Sequence, residues 1–432
     1  MVFTRVLEEK YNVDVFIAGG GPAGVAAAYS AAKMGKKVFL AEKNGSFGGE
    51  GTTGLVPSFC TFTDDMNFLC GGIGREIHDS LYGKDEALKY GFFAFPVEKL
   101  KKLYDDIMVR EGIRFSFFTT LVDVEARDGR VESVVLAAKS GLFALKAKIY
   151  IDCTGDGDLS AWAGAKTEYG DENGTAMPAT LCSLWAGVDY EKPYTSQGAK
   201  IEEAYNDGVL SKFDLHLPGI QEGDFKHGVR GGNIGHCFNV DARDEVSLTE
   251  AMLWGRTYIR EYEKYYREYV GGRYENMFLC YTADMLGVRE SRRVIGDYVL
   301  CKQDYMDRAV FDDEIGRYSY PIDIHAMKPG KDAFAEHKKD FNVRYGIGES
   351  YGIPYRILTP AGLSNVLVAG RCVSSDRAMQ ASIRVMPGCF ITGQAAGVAA
   401  ALTAEKEETR SVNISELQEK IISLGGYLQN RV

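Results

Sequence analysis

The sequence contains no pair of cysteines at the C-x-x-C spacing, although nine cysteines occur among its 432 residues. Closely spaced cysteine pairs are typical of structural zinc sites and of iron–sulfur clusters, so their absence argues against both kinds of metal centre. Cysteines scattered along a chain also suit a reducing compartment. We therefore expect a cytoplasmic protein without a bound metal.

The chain also lacks an excess of positive charge and a long apolar segment. It carries 50 lysines and arginines against 60 acidic residues, a formal net charge of −10, which argues against nucleic acid as a partner. The best candidate for a membrane span, residues 388–402, is short, rich in glycine and alanine, and interrupted by Gln394. The opening residues, MVFTRVLEEKYN, have no apolar signal core. These absences predict a protein that neither binds nucleic acid nor spans a membrane.

What the sequence does contain is a glycine-rich turn within VFIAGGGPAGVAAAYSAAKMGKKVFLAEK, residues 15–43. An apolar run predicts a strand that leads into this turn. Gly19, Gly21 and Gly24 match the G-x-G-x-x-G spacing of a dinucleotide-binding turn. The first glycine permits the tight turn, the second lets a pyrophosphate approach the backbone, and the third lets helix and strand pack closely.

A helix and a second strand are predicted to follow the turn. The helix runs from about Pro22 to Met34, and its positive N-terminal end would point at the phosphates. Glu42 lies 18 residues after Gly24, at the end of the second apolar run. A carboxylate at that position takes the ribose hydroxyls of an adenosine, so we expect a dinucleotide on this turn.

The order of the remaining segments bears on whether that dinucleotide is NAD or FAD. We predict an α/β fold in which residues 1–165 form the first part of a dinucleotide-binding domain. Tyrosines, charges and irregular loops dominate from 166 to 350, which we assign to a second, α+β substrate or cap domain. The α/β character returns over 351–432. Because NAD-dependent dehydrogenases usually complete their Rossmann unit in one contiguous block, the late return favours FAD.

Four further patterns predict local structure. Apolar spacing indicates a helix over 96–111, and residues 113–137 indicate strands with a turn at Asp128-Gly129. A helix is predicted over 387–405. Residues 248–270 form a helix with an aromatic stripe that we expect to face the core rather than to stack bases: Trp254, Tyr258, Tyr262, Tyr265 and Tyr269.

The closing stretch VLVAGRCVSSDRAMQASIRVMPGCFITGQAAGVAAAL resembles the last segment of the glutathione-reductase-like flavoproteins. Within that group the chain is similar to the FAD-dependent oxidoreductase family, which is related to the fumarate reductase flavoproteins. Supporting stretches lie at 149–165, 286–300 and 351–360, so the resemblance covers nearly the whole chain. It implies the cofactor and a Rossmann-like FAD-binding fold of the glutathione reductase type, and says little of the substrate.

The resemblance also implies which residues contact FAD. Those at the pyrophosphate and adenosine are Gly19, Gly21, Pro22, Ala23, Gly24, Glu42, Lys43 and, beside the adenine, Val122. Those nearer the flavin are Gly48, Gly49, Glu50, Gly51, Thr52, Thr154, Gly155, Asp156, Gly370, Arg371, Pro387, Gly388 and Cys389. The loop 45–59 has no histidine, so the covalent histidine–flavin link of some relatives has no candidate there, and we expect non-covalent FAD.

The start of the last long helix is expected to face the flavin. Pro387 at this start would leave the N–H groups of Gly388, Cys389 and Phe390 aimed outward. Placed against the flavin, these groups would stabilise the negative charge of its reduced form.

Arginines and one histidine are the candidates for substrate chemistry. Because arginine forks match carboxylates and can polarise a carbonyl, six arginines are considered: Arg289, Arg292, Arg293, Arg356, Arg377 and Arg384. For any one of them, a structural ion pair or a contact with the phosphates of the flavin cofactor is the alternative. We select Arg384 and Arg289 as catalytic candidates, with His236 as the acid/base histidine.

The sequence thus predicts an FAD-dependent oxidoreductase that transfers a hydride between flavin N5 and a small metabolite, for which the arginines favour a negative charge. Two alternatives stay open: an NAD(P)-dependent dehydrogenase, and an FAD-binding electron-transfer or assembly protein without its own substrate. The electron donor or acceptor and the oligomeric state are not predicted.

Overall fold

A seven-stranded sheet with a parallel centre organises the first and last parts of the chain. The structure is a computed structural model that describes residue 4 and residues 6–84, 89–216, 219–221 and 229–429. The described strands are β1 (Glu9–Ala18), β2 (Val38–Ala41), β3 (Ser58–Phe59), β4 (Phe93–Ala94), β5 (Arg114–Ser116), β6 (Thr120–Arg127), β7 (Arg130–Ala138), β8 (Gly141–Asp152), β9 (Thr167–Tyr169), β10 (Ser183–Ala186), β11 (Gly219–Ile220), β12 (Arg230–Asn233), β13 (Phe278–Thr282), β14 (Arg292–Val294), β15 (Glu314–Tyr318), β16 (Tyr351–Pro354) and β17 (Val366–Val368).

Helices cover this sheet and link it to the smaller ones. The described α-helices are α1 (Pro22–Lys33), α2 (Ile73–Tyr82), α3 (Val97–Arg110), α4 (Asp158–Trp162), α5 (Ile201–Asn206), α6 (Glu245–Tyr265), α7 (Lys302–Asp307), α8 (Lys331–Phe341), α9 (Arg377–Ile383), α10 (Met386–Thr403) and α11 (Ile414–Ser423).

The main sheet has the strand order β5-β2-β1-β8-β7-β6, and β17 pairs with the end of β8. Strands β1, β2, β5, β8 and β17 are parallel where they pair, whereas β6, β7 and β8 form an antiparallel meander. Along β1, Val15 and Ile17 pack into one core and Phe16 and Ala18 into another. A parallel sheet buried on both faces is typical of α/β folds, and the predicted Rossmann-like core is confirmed.

The C-terminal return places α10 directly against α1. A Cβ on Gly393 would lie 2.2 Å from the carbonyl oxygen of Ala23, and one on Gly397 would lie 2.3 Å from that of Ala27. No larger residue fits at these two positions unless the helices move apart. The small residues of α10 therefore bring the last segment of the chain to the helix that follows the glycine turn.

A four-stranded antiparallel sheet, β11-β12-β10-β13, lies in the middle of the chain and packs with α6. Asp244 caps α6 by accepting a hydrogen bond from the Ser247 N–H at 3.1 Å. Residues 266–270, which were predicted as part of this helix, form a π-helical turn instead. Tyr258, Tyr262 and Tyr265 of the aromatic stripe are buried, so the prediction that the stripe faces the core is confirmed.

The other local predictions agree with the structure apart from their boundaries. The helix predicted over 96–111 is α3, and the strands predicted over 113–137 are β5, β6 and β7. Asp128 and Gly129 turn the chain between β6 and β7, each with positive φ. Helix α10 begins one residue before the predicted Pro387 and ends before residue 405.

Among the described residues, no single helix is both long enough and apolar enough to cross a membrane. Helices α9 and α10 meet the length and composition requirement only as a pair, and they are bent by 93° at the break between them.

Candidate cofactor and substrate cavity

The three glycines of the first turn have different surroundings. A Cβ on Gly19, which has φ +95°, would lie 2.5 Å from the carbonyl oxygen of Cys153, and one on Gly24 would lie 1.8 Å from that of Gly19. Gly21 is extended, with φ −66° and ψ −176°, and a Cβ there would meet no atom within 4 Å. Two glycines thus permit close backbone packing, and the third leaves open space at the N-terminus of α1, where an anionic group is stabilised.

Glu42 ties the glycine turn to the end of β2. Its carboxylate accepts hydrogen bonds from the N–H of Gly20 at 2.7 Å and from the backbone and side-chain nitrogens of Asn44, each at 2.7 Å. The residue is buried and lies on the wall of the cavity described next. The predicted ribose-binding carboxylate is therefore held rigidly beside the turn.

A cavity of about 790 Å³ extends from Gly21 to Arg289 and His325. This volume falls within the range of small-molecule and cofactor sites, roughly 300–1,000 Å³. The predicted cofactor residues on its wall are Gly19, Gly21, Pro22, Ala23, Glu42, Lys43, Gly49, Glu50, Thr154, Gly155, Asp156, Gly370, Arg371 and Cys389. One enclosed space thus brings together residues from the first and last segments of the chain.

The other predicted cofactor residues do not line the cavity. They are Gly24, Gly48, Gly51, Thr52, Val122, Pro387 and Gly388. Thr52 shapes the loop behind the wall, because its hydroxyl donates a hydrogen bond to the Phe47 carbonyl at 2.5 Å. Val122 is 42% exposed, and Thr120 and Leu121 line the cavity at that point.

The start of α10 differs from the expectation for its free N–H groups. The Cys389 N–H donates to the Val385 carbonyl at 3.0 Å, because the helix begins at Met386 and Cys389 is already in its second turn. The expectation that this N–H is available to a flavin is wrong. The groups at the helix start are those of Val385, Met386 and Gly388, since proline has no N–H. Val385 and Met386 line the cavity.

Arg371 bridges two carboxylates on the cavity wall. Its guanidinium donates to Glu50 Oε1 at 3.0 Å and to Asp156 Oδ1 at 2.8 Å. Gly155 beside it has φ +81°, a conformation that favours glycine, and a Cβ there would also lie 2.8 Å from the guanidinium carbon. Burial raises the pKa of Glu50 to about 7 despite the charge of Arg371. This ion-paired cluster joins the 45–59 loop, the turn after β8 and the turn after β17.

Arg289 lies at the far end of the cavity and is buried without a carboxylate partner among the described residues. Its guanidinium donates to the Pro178 carbonyl and to the Thr180 hydroxyl, both at 2.9 Å, and contacts His216 Nε2 at 2.9 Å and Asn233 Oδ1 at 3.3 Å. Burial, and then the charge of Arg384, lower the pKa of Arg289 to about 10. Asp323 and Glu50 favour its charged form from a distance, and a buried cation without a directly bonded carboxylate remains costly unless an anion joins it.

Arg384 adds a second cation to the same end of the cavity. Its Nη2 donates to the Asp323 carbonyl at 3.1 Å and lies 3.5 Å from the Asp323 carboxylate. Its buried Nε has no hydrogen-bond partner in the described part of the chain. The remaining four candidate arginines form close ion pairs with carboxylates: Arg292 with Asp158, Arg293 and Arg377 with Glu290, and Arg356 with Asp313. The structure therefore singles out Arg289 and Arg384.

His236, the predicted acid/base residue, is 1% exposed and does not line the cavity. It contacts two histidines that do: its ring stacks on His216, and its Nε2 lies 2.9 Å from Nδ1 of His325. Sequence reasoning missed both His216 and His325. Each is a lone histidine in a segment without a motif, and no pattern in the sequence indicates that the two meet.

Comparison with known proteins assigns the chain to a family. Residues 14–421 match the model of the family described as FAD dependent oxidoreductase. The chain belongs to this family. Its members are enzymes that use FAD, so the predicted family, cofactor and enzyme class are confirmed.

Curated relatives match a smaller part of the chain. Thiamine thiazole synthase from Pyrococcus horikoshii is 28% identical over 173 residues, which are 36% of this chain and 66% of that protein. The Methanococcus aeolicus protein of the same name is 30% identical over 189 residues, 41% of this chain and 67% of that protein. The chain thus spans about two thirds of the length of these relatives, and slightly less for the first. A geranylgeranyl bacteriochlorophyll reductase-like protein from Thermoplasma acidophilum is 13% identical, with a TM-score of 0.48, over 96% of this chain and 84% of that one.

Proposed function

We propose that this oxidoreductase transfers a hydride between FAD and a small metabolite that carries a carboxylate. The observation that carries the proposal is Arg289, whose buried guanidinium faces neutral partners on the wall of the cavity that begins at Gly21. A carboxylate bound there would neutralise the charge and accept paired hydrogen bonds from the guanidinium fork. A neutral ligand would leave Arg289 with only the partial compensation that Asp323 and Glu50 provide.

The residues present fit FAD at the other end. The space beside Gly21 would admit a pyrophosphate to the N-terminus of α1, and Glu42 is placed for ribose hydroxyls. FAD, when bound, supplies a two-electron acceptor or donor at its isoalloxazine ring. Val385 and Met386, with the ion-paired cluster of Glu50, Arg371 and Asp156, would border the middle of the cofactor. No histidine of the 45–59 loop is available for a covalent link.

The two arginines would orient the substrate between them. Arg289 reaches the cavity from the turn before β14, and Arg384 from the turn between α9 and α10. The charge of Arg384 lowers the pKa of Arg289, so the two cations repel each other when no anion lies between them. An anionic substrate relieves this repulsion, and its reacting carbon would then point back toward the cofactor end.

The origin of these side chains supports a glutathione-reductase-type fold with an inserted cap. Residues for FAD come from 1–165 and 351–432, whereas Arg289, His216 and His325 come from 166–350. In this assignment the middle segment is a cap domain that supplies most of the substrate end, to which the return segment adds Arg384. Of the earlier alternatives, the family assignment favours FAD over NAD(P) as the resident cofactor.

Anaerobic bleaching of the purified flavoprotein tests the proposal. Matched pairs of small hydroxy or amino acids and their amides, such as lactate and lactamide, serve as probes. We expect at least one acid to bleach the flavin and its amide to react at least about tenfold more slowly, equal to about 1.4 kcal/mol. Bleaching by amides as readily as by acids would contradict the role of Arg289. A flavin that no substrate class bleaches would favour the electron-transfer alternative.

A second measurement concerns how the cofactor is attached. Acid precipitation should release the flavin as FAD into the supernatant, because loop 45–59 lacks the histidine of the covalent relatives. Yellow colour that stays with the precipitated protein would contradict this.

A further inference from the structure

A chain of four ionisable side chains runs from the interior of the middle segment to the cavity. Oδ1 of Asp214 lies 3.0 Å from Nδ1 of His236, and Nε2 of His236 lies 2.9 Å from Nδ1 of His325. Nε2 of His325 lies 3.4 Å from Oδ2 of Asp323. Asp214 and His236 are buried behind the cavity wall, whereas His325 and Asp323 line it.

The hydrogen bonds of Asp214 fix the direction of this chain. Burial raises the pKa of Asp214, but the backbone N–H groups of His216 at 2.9 Å and of His236 at 2.6 Å donate to its carboxylate and favour the ionised form. In that form the carboxylate is an acceptor, and Nδ1 of His236 donates to it. A neutral imidazole carries one N–H, which makes Nε2 of His236 the acceptor and Nδ1 of His325 the donor. Nε2 of His325 is then the unprotonated, basic nitrogen. Its separation of 3.4 Å from the Asp323 carboxylate is longer than the other two contacts of the chain, at 3.0 and 2.9 Å, which each hold a proton.

Two histidines of this chain, together with His216, form a cluster that could be taken for a metal site, but the orientation of their rings does not suit metal binding. One nitrogen each of His216, His236 and His325 lies within 4.8 Å of the others. The rings of His216 and His236 are stacked, with centroids 4.0 Å apart and planes 24° from parallel, so their in-plane lone pairs do not converge on one point. Arg289 also brings its positive charge within 2.9 Å of His216 Nε2. A dication there would face that charge directly.

We propose that His325 is an acid/base residue of this oxidoreductase and that Asp214 and His236 are positioning residues that hold it in the Nδ1–H form. The inference rests on the proposed function above. In substrate oxidation, the O–H or N–H bond of the substrate breaks and its proton forms an N–H bond at Nε2 of His325. The C–H bond of the adjacent carbon also breaks, and its hydrogen leaves with both electrons as a hydride, which FAD, the cofactor of the family, would accept. In the reverse direction His325 returns the proton.

The charges around His325 suit this role. Burial and the positive charge of Arg289, followed by His216, His236 and Arg384, lower the pKa of His325 well below its usual value. The imidazole is therefore neutral at neutral pH in the empty cavity, and an anionic substrate beside Arg289 and Arg384 would offset their charges and make Nε2 more basic in the complex. Asp323 beside Nε2, and Asp214 at the far end of the chain, would stabilise the imidazolium once it forms.

The tautomer can be measured without cofactor or substrate. Multiple-bond proton–nitrogen NMR of ¹⁵N-histidine-labelled apoprotein distinguishes Nδ1–H from Nε2–H rings, and His325→Gln and His236→Gln variants identify the two signals. We expect the Nδ1–H form for both residues at pH 7.5. An Nε2–H form of His325, or nitrogen shifts of a metal-bound ring together with one equivalent of metal, would overturn the proposal.

Chemical rescue tests the catalytic step on the holoenzyme. With an acid that bleaches the wild-type flavin, His325→Ala should bleach about 10²–10⁴ times more slowly, the usual contribution of a general acid or base. Added imidazole should restore part of the rate, because the cavity has room for it. FAD content and reduction by dithionite should match those of the wild type. An unchanged bleaching rate in His325→Ala would overturn the proposal.

The positioning role of His236 predicts a change in pH profile rather than a simple loss. His236→Gln weakens the hydrogen bond from Nδ1 of His325 and removes the repulsion that His236 exerts on the imidazolium, so the acid limb of the bleaching rate should move from its wild-type pH. Unmoved profiles in both His236→Gln and Asp214→Asn would remove the positioning role. If no probe acid bleaches the wild-type flavin, the proposed function is wrong, but the proton chain can still be tested. The pKa of His325, measured by NMR titration in the wild type and in His236→Gln, then shows whether His236 influences the protonation of His325.

Discussion

The two ends of the cavity are built in different ways. At the cofactor end, the wall beside Gly21 is mostly backbone and small side chains, and its key features are the space a glycine leaves and the N–H groups of a helix start. At the substrate end, the wall consists of ionisable side chains buried with incomplete charge compensation, chiefly Arg289, Arg384 and His325. In the proposed function, one end would recognise a shape common to many dinucleotides, and the other would select a particular charge.

This difference has an energetic consequence. Backbone groups at a helix start are fixed by the fold and need no neutralisation when the ligand is absent. A buried guanidinium such as that of Arg289 costs free energy until an anion arrives. A side chain added at Gly21 should therefore act through steric fit and leave the apoprotein unaffected, whereas changes at Arg384 should act through charge and leave FAD binding unaffected.

The largest expected effect is steric loss of FAD in Gly21→Val. The extended backbone at Gly21 accepts a side chain, and the Cβ position is open, so the apoprotein should fold and melt as the wild type does. The new side chain would occupy the approach of the pyrophosphate, and we expect FAD affinity to fall more than about 100-fold, or about 2.7 kcal/mol. Calorimetric FAD titration measures this.

Gly198→Val is the matched control, because Gly198 is exposed and also has open space at its Cβ position. It should bind FAD normally. Normal FAD binding by Gly21→Val would show that the pyrophosphate does not lie at the glycine turn.

Arg384→Lys tests the substrate end. Lysine keeps the charge but loses the fork, and loss of a charge-assisted pair costs about 2–3 kcal/mol, roughly a 30- to 150-fold drop in kcat/KM. FAD content should stay at the wild-type level. Arg356→Lys, at an arginine paired with Asp313 away from this cavity, is the control. A variant that loses FAD while its remaining holoenzyme turns over normally would make Arg384 a cofactor ligand.

The same contrast explains what could be predicted from the sequence. The cofactor end follows from local rules: Gly19, Gly21 and Gly24 must be glycines at a fixed spacing, and Glu42 must end the next strand, so a contiguous stretch carries the signal. The pairing of the last segment with the first could be predicted only through the resemblance, and small residues such as Gly393 then explain it.

The substrate end could not be predicted in this way. His216, His325 and Arg289 are far apart in sequence, and their contact depends on how the middle segment folds. Two of the three predicted catalytic residues, Arg289 and Arg384, do line the cavity. His236 was selected because of its own sequence surroundings, which carry no information on its neighbours. Helix α10 shows how much an error of one residue in a predicted helix start can matter. The helix starts at Met386 rather than at the predicted Pro387, and the Cys389 N–H is therefore already hydrogen-bonded to the Val385 carbonyl.

The smallest expected effect concerns Glu50, where the two ends meet. Its carboxylate accepts a hydrogen bond from the Arg371 guanidinium on the cofactor side. It also accepts one, at 3.2 Å, from the Val288 N–H in the segment that leads to Arg289. Burial raises its pKa from 4.5 to about 7. Below pH 4.5 the carboxyl is protonated in the folded and the unfolded chain. Between pH 4.5 and 7 it ionises in the unfolded chain first, so this group's contribution to stability is lost as the pH rises through that window.

Glu50→Gln should therefore flatten the pH dependence of apoprotein stability. We expect the free energy of unfolding of the wild type to fall by about 1–2 kcal/mol more than that of the variant between pH 5 and pH 8, as measured by urea titration at each pH. Glu172→Gln, at an exposed glutamate, should behave as the wild type. If Glu50→Gln instead keeps the full pH dependence, the carboxyl is ionised throughout and Arg371 neutralises it. Glu50 and Arg371 would then form a neutral ion pair that belongs to the cofactor end. Buried charge without a directly bonded counter-ion would begin only at Arg289.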